Sequence, residues 1–243
     1  MLLENKICFI TGAGRGIGKA ILERFVEEGA SKIYANTVTE GRLDTFCAEH
    51  PQVIPLYFDV SDKESAQKAM MRIRKESERL DVLVNNAGIT KDELTGMIDW
   101  QTMEEVFTVN VYGTVELLQL AARAMIQTGG SIINIASTAG VRGGGSGQLV
   151  YSGTKGAIIA LTKTAARELG AKGIRVNAVA PGLIDTDMTR AVDEKIMLKT
   201  LPGISLGRFG NPREVADACV YLASDLSSYV SGQILTVDGA SFN

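Results

Sequence analysis

The chain has 243 residues and a mass of 26.0 kDa, a size at which one α/β domain buries a stable core without disulfide bonds. Hydrophobic residues make up 45% and charged residues 22%, as in ordinary globular proteins, and this composition argues against disorder. The chain has 25 Lys and Arg against 28 Asp and Glu. The resulting net charge of −3 gives no basic footprint for binding nucleic acid.

Cysteine and histidine are too sparse for several kinds of site. The three cysteines form no CxxC pair, and a Ser-His-Asp triad would depend on His50 alone, so we expect no metal site and no serine-hydrolase chemistry. No apolar run approaches the ~20 residues of a membrane span. The first residues lack the pattern of a signal peptide. We therefore expect a cytoplasmic protein with reduced cysteines and no membrane partner.

Predicted strands and helices alternate along the whole chain. Short apolar runs predict strands over 7–10, 32–36, 53–58, 81–85, 131–136, 174–180 and 233–237. Helical periodicity predicts helices between them, over 17–28, 63–79, 103–126, 152–169 and 214–222. Strands that are apolar on both faces are typical of a parallel sheet covered by helices. The sequence therefore predicts a single-domain, Rossmann-type α/β fold, a doubly wound parallel sheet with helices on both faces over residues 1–243.

Two irregular regions, 140–147 and 185–208, follow the ends of predicted strands. Ligands of open α/β sheets bind outside the carboxyl ends of the strands, so both regions are candidate substrate loops. We accordingly divide the domain into a cofactor half, about 1–135, and a catalytic and substrate half, about 136–243.

A glycine-rich turn, 11–18, joins the first predicted strand to the first predicted helix and reads TGAGRGIG. Glycines suit a backbone that turns tightly and approaches a pyrophosphate, and the N–H groups of the helix start face the anion. The position between strand and helix favours a dinucleotide site over a plain tight turn.

The end of the second predicted strand indicates which dinucleotide binds. An NAD site usually carries an acid there for the ribose 2′-hydroxyl, but no acid occurs before Glu40, which is better placed to begin the next helix. Arg15 lies in the glycine-rich turn and can face a 2′-phosphate. These residues favour NADP(H), although Arg15 could also be a solvated surface cation.

Tyr151 and Lys155 are candidates for the reactive groups. They stand four residues apart at a predicted helix start and therefore share one face. A nearby ammonium stabilises a phenolate and lowers the pKa of the phenol, so Tyr151 could give a proton to a carbonyl oxygen as hydride reaches the carbon. Ser137, at the end of the fifth predicted strand, could hold the same oxygen. The alternative is an interface tyrosine and a solvated lysine.

Together these motifs resemble the short-chain dehydrogenase/reductase family over essentially the whole chain. The resemblance adds the acid-apolar pair at 59–60, the NNAG sequence at 85–88, a helix asparagine and a Pro-Gly segment at 181–182. It implies a catalytic set of Asn110, Ser137, Tyr151 and Lys155, of which Ser137 and Tyr151 also bind substrate. It implies cofactor contacts at Gly12, Arg15, Gly16, Ile17, Gly18, Thr37, Asp59, Val60, Asn86, Ala87, Gly88, Tyr151, Lys155, Pro181, Gly182, Ile184 and Thr186.

Within the family, segments 88–92, 207–216 and 229–233 resemble bacterial reductases of 3-oxoacyl thioesters linked to acyl carrier protein. This resemblance implies NADPH, a role in fatty acid synthesis and a homotetramer. The chain also departs from the pattern. The interval from Ser137 to Tyr151 is one residue longer than usual, so Thr138 remains an alternative hydroxyl. A basic residue is missing near 128–130, Lys172 replaces a common arginine, and 94–100 is atypical. A reductase of another small ketone or sugar, or a non-catalytic NADP(H)-binding protein, stays open.

Overall fold

The computed structural model describes residues 1–186 and 200–241, and its seven strands form one parallel sheet. The strands lie in the order β3-β2-β1-β4-β5-β6-β7, which confirms the predicted α/β fold. Every predicted strand is present, with small shifts at the ends. The bounds are β1 Ile7–Ile10, β2 Lys32–Thr37, β3 Val53–Tyr57, β4 Val82–Asn85, β5 Gly130–Ile135, β6 Ile174–Pro181 and β7 Ile234–Val237.

Helices cover both faces of this sheet. Several begin with the side-chain caps that satisfy free N–H groups: Asp62 caps α3, Asp99 caps α4, and Asn211 forms a capping box with Glu214 at the start of α8. The bounds are α1 Gly16–Glu27, α2 Asp44–Glu49, α3 Lys63–Ser77, α4 Trp100–Phe107, α5 Gly113–Met125, α6 Thr138–Arg142, α7 Leu149–Leu169 and α8 Pro212–Ala223.

The continuous apolar character of the strands is explained by two large core clusters. Ile10 and Ile33 belong to a cluster that includes residues of α1 and α8. The neighbouring residues Phe9 and Tyr34 belong to a second cluster, which includes residues of α3 and α5. Since successive side chains of a strand point to opposite faces, both faces of the sheet are buried under helices.

Three predictions, two of helices and one of an irregular loop, need correction. The helix predicted over 103–126 is interrupted by a π-helical segment, Thr108–Tyr112, between α4 and α5. Glu40 does not begin the next helix; it lies exposed in a turn, and the short α2 begins at Asp44. The glycine-rich region 140–147 is only partly irregular, because α6 extends through Arg142.

Two sequence predictions are not settled by the fold. Residues 187–199 of the predicted loop 185–208 lie outside the described residues. The single domain and its two halves stay a prediction.

Across residues 1–186 and 200–241, no helix is both long enough and apolar enough to cross a bilayer. In the same ranges, no three His, Cys, Asp or Glu side chains gather as ligands for a metal ion.

Candidate active site

The glycine-rich turn after β1 and the NNAG segment after β4 lie side by side at the carboxyl edge of the sheet. The hydroxyl of Thr11 accepts hydrogen bonds from the backbone N–H groups of Asn86 and Ala87, each at 3.0 Å. The side-chain amide of Asn86 donates to the carbonyl of Thr11 at 2.9 Å and to that of Gly12 at 3.2 Å. β1 and β4 are neighbours at which the order of the strands reverses, the usual place for a ligand in such sheets.

The geometry of the turn fits a bound dinucleotide. Gly12 and Gly16 have φ angles of +64° and +54°, a conformation that favours glycine. A Cβ added to Gly18 would lie 2.1 Å from the carbonyl oxygen of Gly12, so α1 packs too closely on the turn for any side chain there. Arg15, at the N-cap of α1, makes no side-chain capping bond, and Ile17 packs against the core. These features match a helix start that holds an anion with its backbone.

The predicted Pro-Gly segment lies where β6 ends. The backbone N–H of Gly182 donates to the carbonyl of Val237 at 3.0 Å, which continues the pairing of Pro181 with β7. Ile184 is buried and pairs with Gly210 in a short bridge. Thr186 and Gly16 line a common cleft of about 410 Å³, so the structure brings this segment next to the start of α1.

Residues at the ends of β2 and β3 complete the predicted cofactor site. Asn36, which the sequence analysis did not select, accepts from the N–H of Gly12 at 3.3 Å and donates to the carbonyl of Phe58 at 2.8 Å. The signal that could have identified Asn36 was its position within an apolar strand, because a buried polar side chain needs hydrogen-bond partners. Thr37 is buried just beyond it. Asp59 is exposed, and its carboxylate is bonded to Ser61; no bond among the described residues joins it to the turn.

Val60 and Gly88 occupy positions where backbone segments meet closely. The carbonyl of Val60 would lie 2.9 Å from a Cβ added to Gly113, so α5 packs directly on the chain after β3. A Cβ on Gly88 would meet the side-chain oxygen of Asn110 at 3.2 Å and the ammonium of Lys155 at 3.6 Å. Gly88 therefore lies between the predicted cofactor residues and the predicted catalytic set.

Tyr151 and Lys155 lie together on the first turns of α7. The ammonium nitrogen of Lys155 is 5.7 Å from the centre of the Tyr151 ring and donates to the carbonyl of Ile135 at 2.7 Å. Lys155 is only 6% exposed, which makes it the most deeply buried lysine described. The predicted alternative of a solvated helix lysine is therefore wrong.

Ser137 reaches the same place from the end of β5. Its side chain caps α6, accepting from the N–H of Ala139 at 3.1 Å, and it lies close enough to Tyr151 to lower the pKa of that phenol. Thr138 is instead the first residue of α6. Between the two hydroxyls that the sequence left open, this arrangement favours Ser137.

The electrostatics of the cluster differ from the expectation that Lys155 makes Tyr151 acidic. Burial raises the pKa of the Tyr151 phenol, and the negative charge of Asp92 adds to that rise, while the bond from Ser137 lowers it. Burial also lowers the pKa of Lys155 from 10.5 to about 8. Desolvation is the largest influence on the pKa of both groups, and the phenol is protonated at neutral pH.

Asn110 lies in the π-helical segment and is held from three sides. Its side chain accepts from the N–H of Ile89 at 2.8 Å and donates to the carbonyl of Ile89 at 2.9 Å and to the hydroxyl of Thr154 at 3.1 Å. Thr154 in turn donates to the carbonyl of Tyr151 at 2.7 Å. Thr154 was missed because no local motif marks it; it links Asn110 to the catalytic helix. Single-turn π segments often occur at functional sites.

Comparison with known proteins identifies the family of the chain. A family model described as enoyl-(acyl carrier protein) reductase matches residues 12–240. A 3-oxoacyl-(acyl carrier protein) reductase from Thermotoga maritima is 43% identical over 98% of each chain, and one from Aquifex aeolicus is 40% identical over 99% of this chain and 98% of the relative. A 3α-hydroxysteroid dehydrogenase from Mediterraneibacter gnavus is also 40% identical, over 99% of this chain and 98% of its own. The chain belongs to the short-chain dehydrogenase/reductase family of oxidoreductases.

Proposed function

We propose that the protein is an NADPH-dependent reductase that converts the ketone of a 3-oxoacyl thioester, carried by acyl carrier protein, to a secondary alcohol in fatty acid synthesis. The observation that carries the proposal is the cluster of the buried Lys155 with the partly buried Ser137 and Tyr151, beside a glycine-rich turn that fits a dinucleotide. The names of the relatives from Thermotoga maritima and Aquifex aeolicus support the substrate class.

In the proposed reaction Tyr151 is the general acid. Its phenol is protonated at neutral pH, as a phenol ordinarily is, and burial raises its pKa further, so it can donate its proton to the ketone oxygen. When bound, NADPH supplies the hydride that the ketone carbon receives. One hydride and one proton convert the ketone to the alcohol and leave a phenolate on Tyr151. Ser137 donates a hydrogen bond to the same oxygen and shares the negative charge that develops there.

Lys155 then has two tasks. It stands close enough to Tyr151 to stabilise the phenolate that proton transfer leaves behind. By the family resemblance it also binds the nicotinamide ribose. Asn110 positions the segment at Ile89 and, through Thr154, the catalytic helix.

The preference for NADP(H) over NAD(H) is supported by the end of β2. Asn36 stands near the position where an NAD site carries its acid, and its side chain is turned inward to Gly12 and Phe58. The groups left to meet the 2′ position are Thr37 and the exposed Arg15. An alcohol with a cation suits a phosphate better than a neutral ribose hydroxyl.

The partners and the compartment belong to the same proposal. We infer a homotetramer in the cytoplasm, with acyl carrier protein as the partner that delivers substrate, and neither nucleic acid nor membrane as a partner. Size-exclusion chromatography with light scattering tests the tetramer: a mass near four times 26.0 kDa is expected, and a monomer contradicts it.

The experiment that tests the reaction is a substrate panel. NADPH oxidation is followed with acetoacetyl-(acyl carrier protein), with acetoacetyl thioesters of a small thiol, and with carrier-free ketones of similar length. We expect kcat/KM to fall in that order. Carrier-free ketones that outperform both thioesters would overturn the substrate assignment, and tight NADPH binding without turnover of any ketone would support the non-catalytic alternative.

A second candidate substrate deserves an arm of the panel, because a hydroxysteroid dehydrogenase is as similar to this chain as the Aquifex aeolicus relative. A 3-ketosteroid tests it directly. A kcat/KM for the steroid above that of the acyl thioester would transfer the assignment to a steroid ketone, with the same roles for Ser137 and Tyr151.

A further inference from the structure

Gln148, which the sequence analysis did not select, lies at the start of the catalytic helix α7. The N–H of Ser152 donates to the carbonyl of Gln148 at 2.8 Å, so the first helical turn includes Gln148, three residues before Tyr151. Side chains at this spacing lie on one side of a helix. The half-buried side chain of Gln148 makes no capping bond to the helix, which leaves its carboxamide to other contacts on the side of Tyr151.

The oxygen of this carboxamide is fixed by the glycine-rich loop before α7. It accepts from the backbone N–H of Gly145 at 3.1 Å. A Cβ added to Gly144 would lie 2.5 Å from the same oxygen and 2.8 Å from the hydroxyl of Ser152, so Gly144 packs directly on the side chain of Gln148. Because the oxygen is directed at this loop, the amide nitrogen lies on the opposite side of the carboxamide.

The amide nitrogen faces the segment that follows the NNAG sequence. It lies 3.5 Å from a carboxylate oxygen of Asp92, at the outer limit for a hydrogen bond, and no shorter bond to this nitrogen occurs among the described residues. The other carboxylate oxygen of Asp92 accepts from the hydroxyl of Thr90 at 2.7 Å. The N–H of Glu93 donates to the carbonyl of Gly147 at 3.0 Å, so this segment and the glycine-rich loop form one continuous wall.

This wall borders the catalytic phenol. The negative charge of Asp92 is close enough to Tyr151 to raise the pKa of its phenol. The amide nitrogen of Gln148 therefore lies beside the position that Ser137 and Tyr151 give to the ketone oxygen, and its two N–H groups have only one long contact to share.

The chemistry of the proposed substrate requires a donor at such a place. In a 3-oxoacyl thioester the ketone and the thioester carbonyl are separated by a single methylene, so their oxygens lie within a few ångströms of each other. When the ketone oxygen is held at the catalytic hydroxyls, the thioester oxygen is also withdrawn from water. A carbonyl that loses water without gaining another hydrogen bond costs free energy.

We propose that Gln148 is a substrate-binding, specificity-determining residue whose amide nitrogen donates a hydrogen bond to the thioester carbonyl of the 3-oxoacyl substrate. The proposal rests on the proposed reductase function and deepens it, because it assigns a residue to the second carbonyl of the substrate. Gln148 thus allows the site to distinguish a ketone that carries this second carbonyl from a simple ketone of the same length. Asp92 and Gly145 orient the carboxamide from its two ends.

The test compares two substrates that differ in one group. One is the acetoacetyl thioester of a small thiol, and the other is a methyl ketone of the same length in which a methylene replaces the thioester carbonyl. Gln148→Met removes the donor with little change in volume. We expect it to lower kcat/KM for the thioester about five- to tenfold, mainly through KM, and to leave the ketone within about twofold.

Two further variants separate binding from structure. Gln67→Met is the matched control, since Gln67 is another half-buried glutamine whose amide donates to a carboxylate, that of Glu116 at 3.2 Å. It should change neither substrate. Gln148→Glu keeps an oxygen that can accept from Gly145 but has no N–H to donate, so it should lose preference for the thioester as Gln148→Met does, with the loop bond retained. The ratio of kcat/KM for the two substrates is the readout, because a charge added beside Tyr151 affects both alike.

The outcomes distinguish the role of Gln148 from the function on which it rests. If the parent protein prefers the thioester and both Gln148 variants keep the parent ratio, the role of Gln148 is overturned while the reductase assignment stands. The same holds if Gln148→Met lowers the ratio and Gln148→Glu restores it, since the loop bond to Gly145 would then explain the loss. If the parent protein reduces the ketone analogue as well as the thioester, or reduces neither, the 3-oxoacyl assignment and the role of Gln148 fall together.

Discussion

The two ends of the candidate cofactor groove are built in opposite ways. At the catalytic end, Asn110 and Lys155 are 1% and 6% exposed, and their polar atoms are bonded to backbone carbonyls and to Thr154. At the adenosine end, Arg15 is exposed, and no ion pair among the described residues holds it. Burial changes pKa values and prepares groups for chemistry, whereas exposed cations change affinity and little else.

Removal of one hydroxyl at the buried end should have the largest effect on activity. Tyr151→Phe deletes the proposed general acid and keeps the ring that packs beside Lys155. We expect kcat for NADPH-dependent ketone reduction to fall about 10²–10⁴-fold, the usual contribution of a positioned acid. Cofactor binding and the thermal midpoint should change little.

The matched control is Tyr34→Phe, which deletes the hydroxyl of a fully buried tyrosine that is bonded to Ser77, the last residue of α3. It should leave kcat unchanged even where it lowers stability. Full activity in Tyr151→Phe, with the same product, would show that the proton comes from elsewhere.

The buried lysine should also make stability depend on pH in a characteristic direction. Burial lowers the pKa of Lys155 from 10.5 to about 8, so between those values the unfolded chain binds a proton that the folded protein does not. Stability due to this group therefore rises as pH increases from about 8 to 10.5, by up to about 3 kcal/mol. Below pH 8 the group is protonated in both states and this contribution is absent.

The measurement is urea unfolding of the parent protein and of Lys155→Met between pH 7 and pH 11, at about half-unit intervals. The free energy of unfolding of the methionine variant, minus that of the parent protein, should be larger at pH 7 than at pH 10.5. The reason is that the parent protein buries the charge of Lys155 at pH 7, whereas the methionine carries no charge. A constant difference in the free energy of unfolding across this range would mean that Lys155 keeps an ordinary pKa in the folded protein.

Two buried threonine hydroxyls on α7 make it possible to separate a positioning role in catalysis from a role in stability. Thr154 and Thr162 are both fully buried in α7, and each donates to a carbonyl one turn earlier and accepts from an asparagine amide. Thr154→Val and Thr162→Val should each lower the free energy of unfolding by about 1–3 kcal/mol. Only Thr154→Val should also lower kcat, since only Thr154 joins Asn110 to the carbonyl of Tyr151.

Equal losses of kcat in the two valine variants would show that Thr154 acts through general stability of α7. An unchanged pH–rate profile in Thr154→Val, together with a lower kcat, would locate its effect in geometry rather than in the titration of Tyr151 or Lys155.

The sequence predicts features that depend on neighbouring residues or on a repeated pattern better than it predicts roles that depend on contacts between distant residues. Tyr151 and Lys155 were found because their spacing follows one helix, and the strands because both faces of the sheet are buried. Thr154 was missed because its role depends on Asn110, which is far away in the chain. The raised pKa of Tyr151 was missed because desolvation depends on the complete cavity.

The smallest expected effect concerns an ion pair at the edge of the site. Arg142, the last residue of α6, pairs with Asp238 at 2.8 Å and also donates to the carbonyl of Ser241. Asp238 is largely buried against Gly182, since a Cβ on that glycine would lie 2.7 Å from Cβ of Asp238. Arg142 therefore ties the helix that Ser137 caps to the Pro-Gly segment.

Arg142→Met should lower the free energy of unfolding by about 1 kcal/mol and raise KM for the ketone a few-fold, with a smaller change in kcat. The control is Arg72→Met, which breaks an exposed pair with Glu76 on α3. Because Arg72 lies away from the groove, its loss should change stability by less than about 0.5 kcal/mol and leave KM as it is. If the two variants have the same KM, the pair between Arg142 and Asp238 is a surface contact without influence on how Ser137 is presented to the substrate.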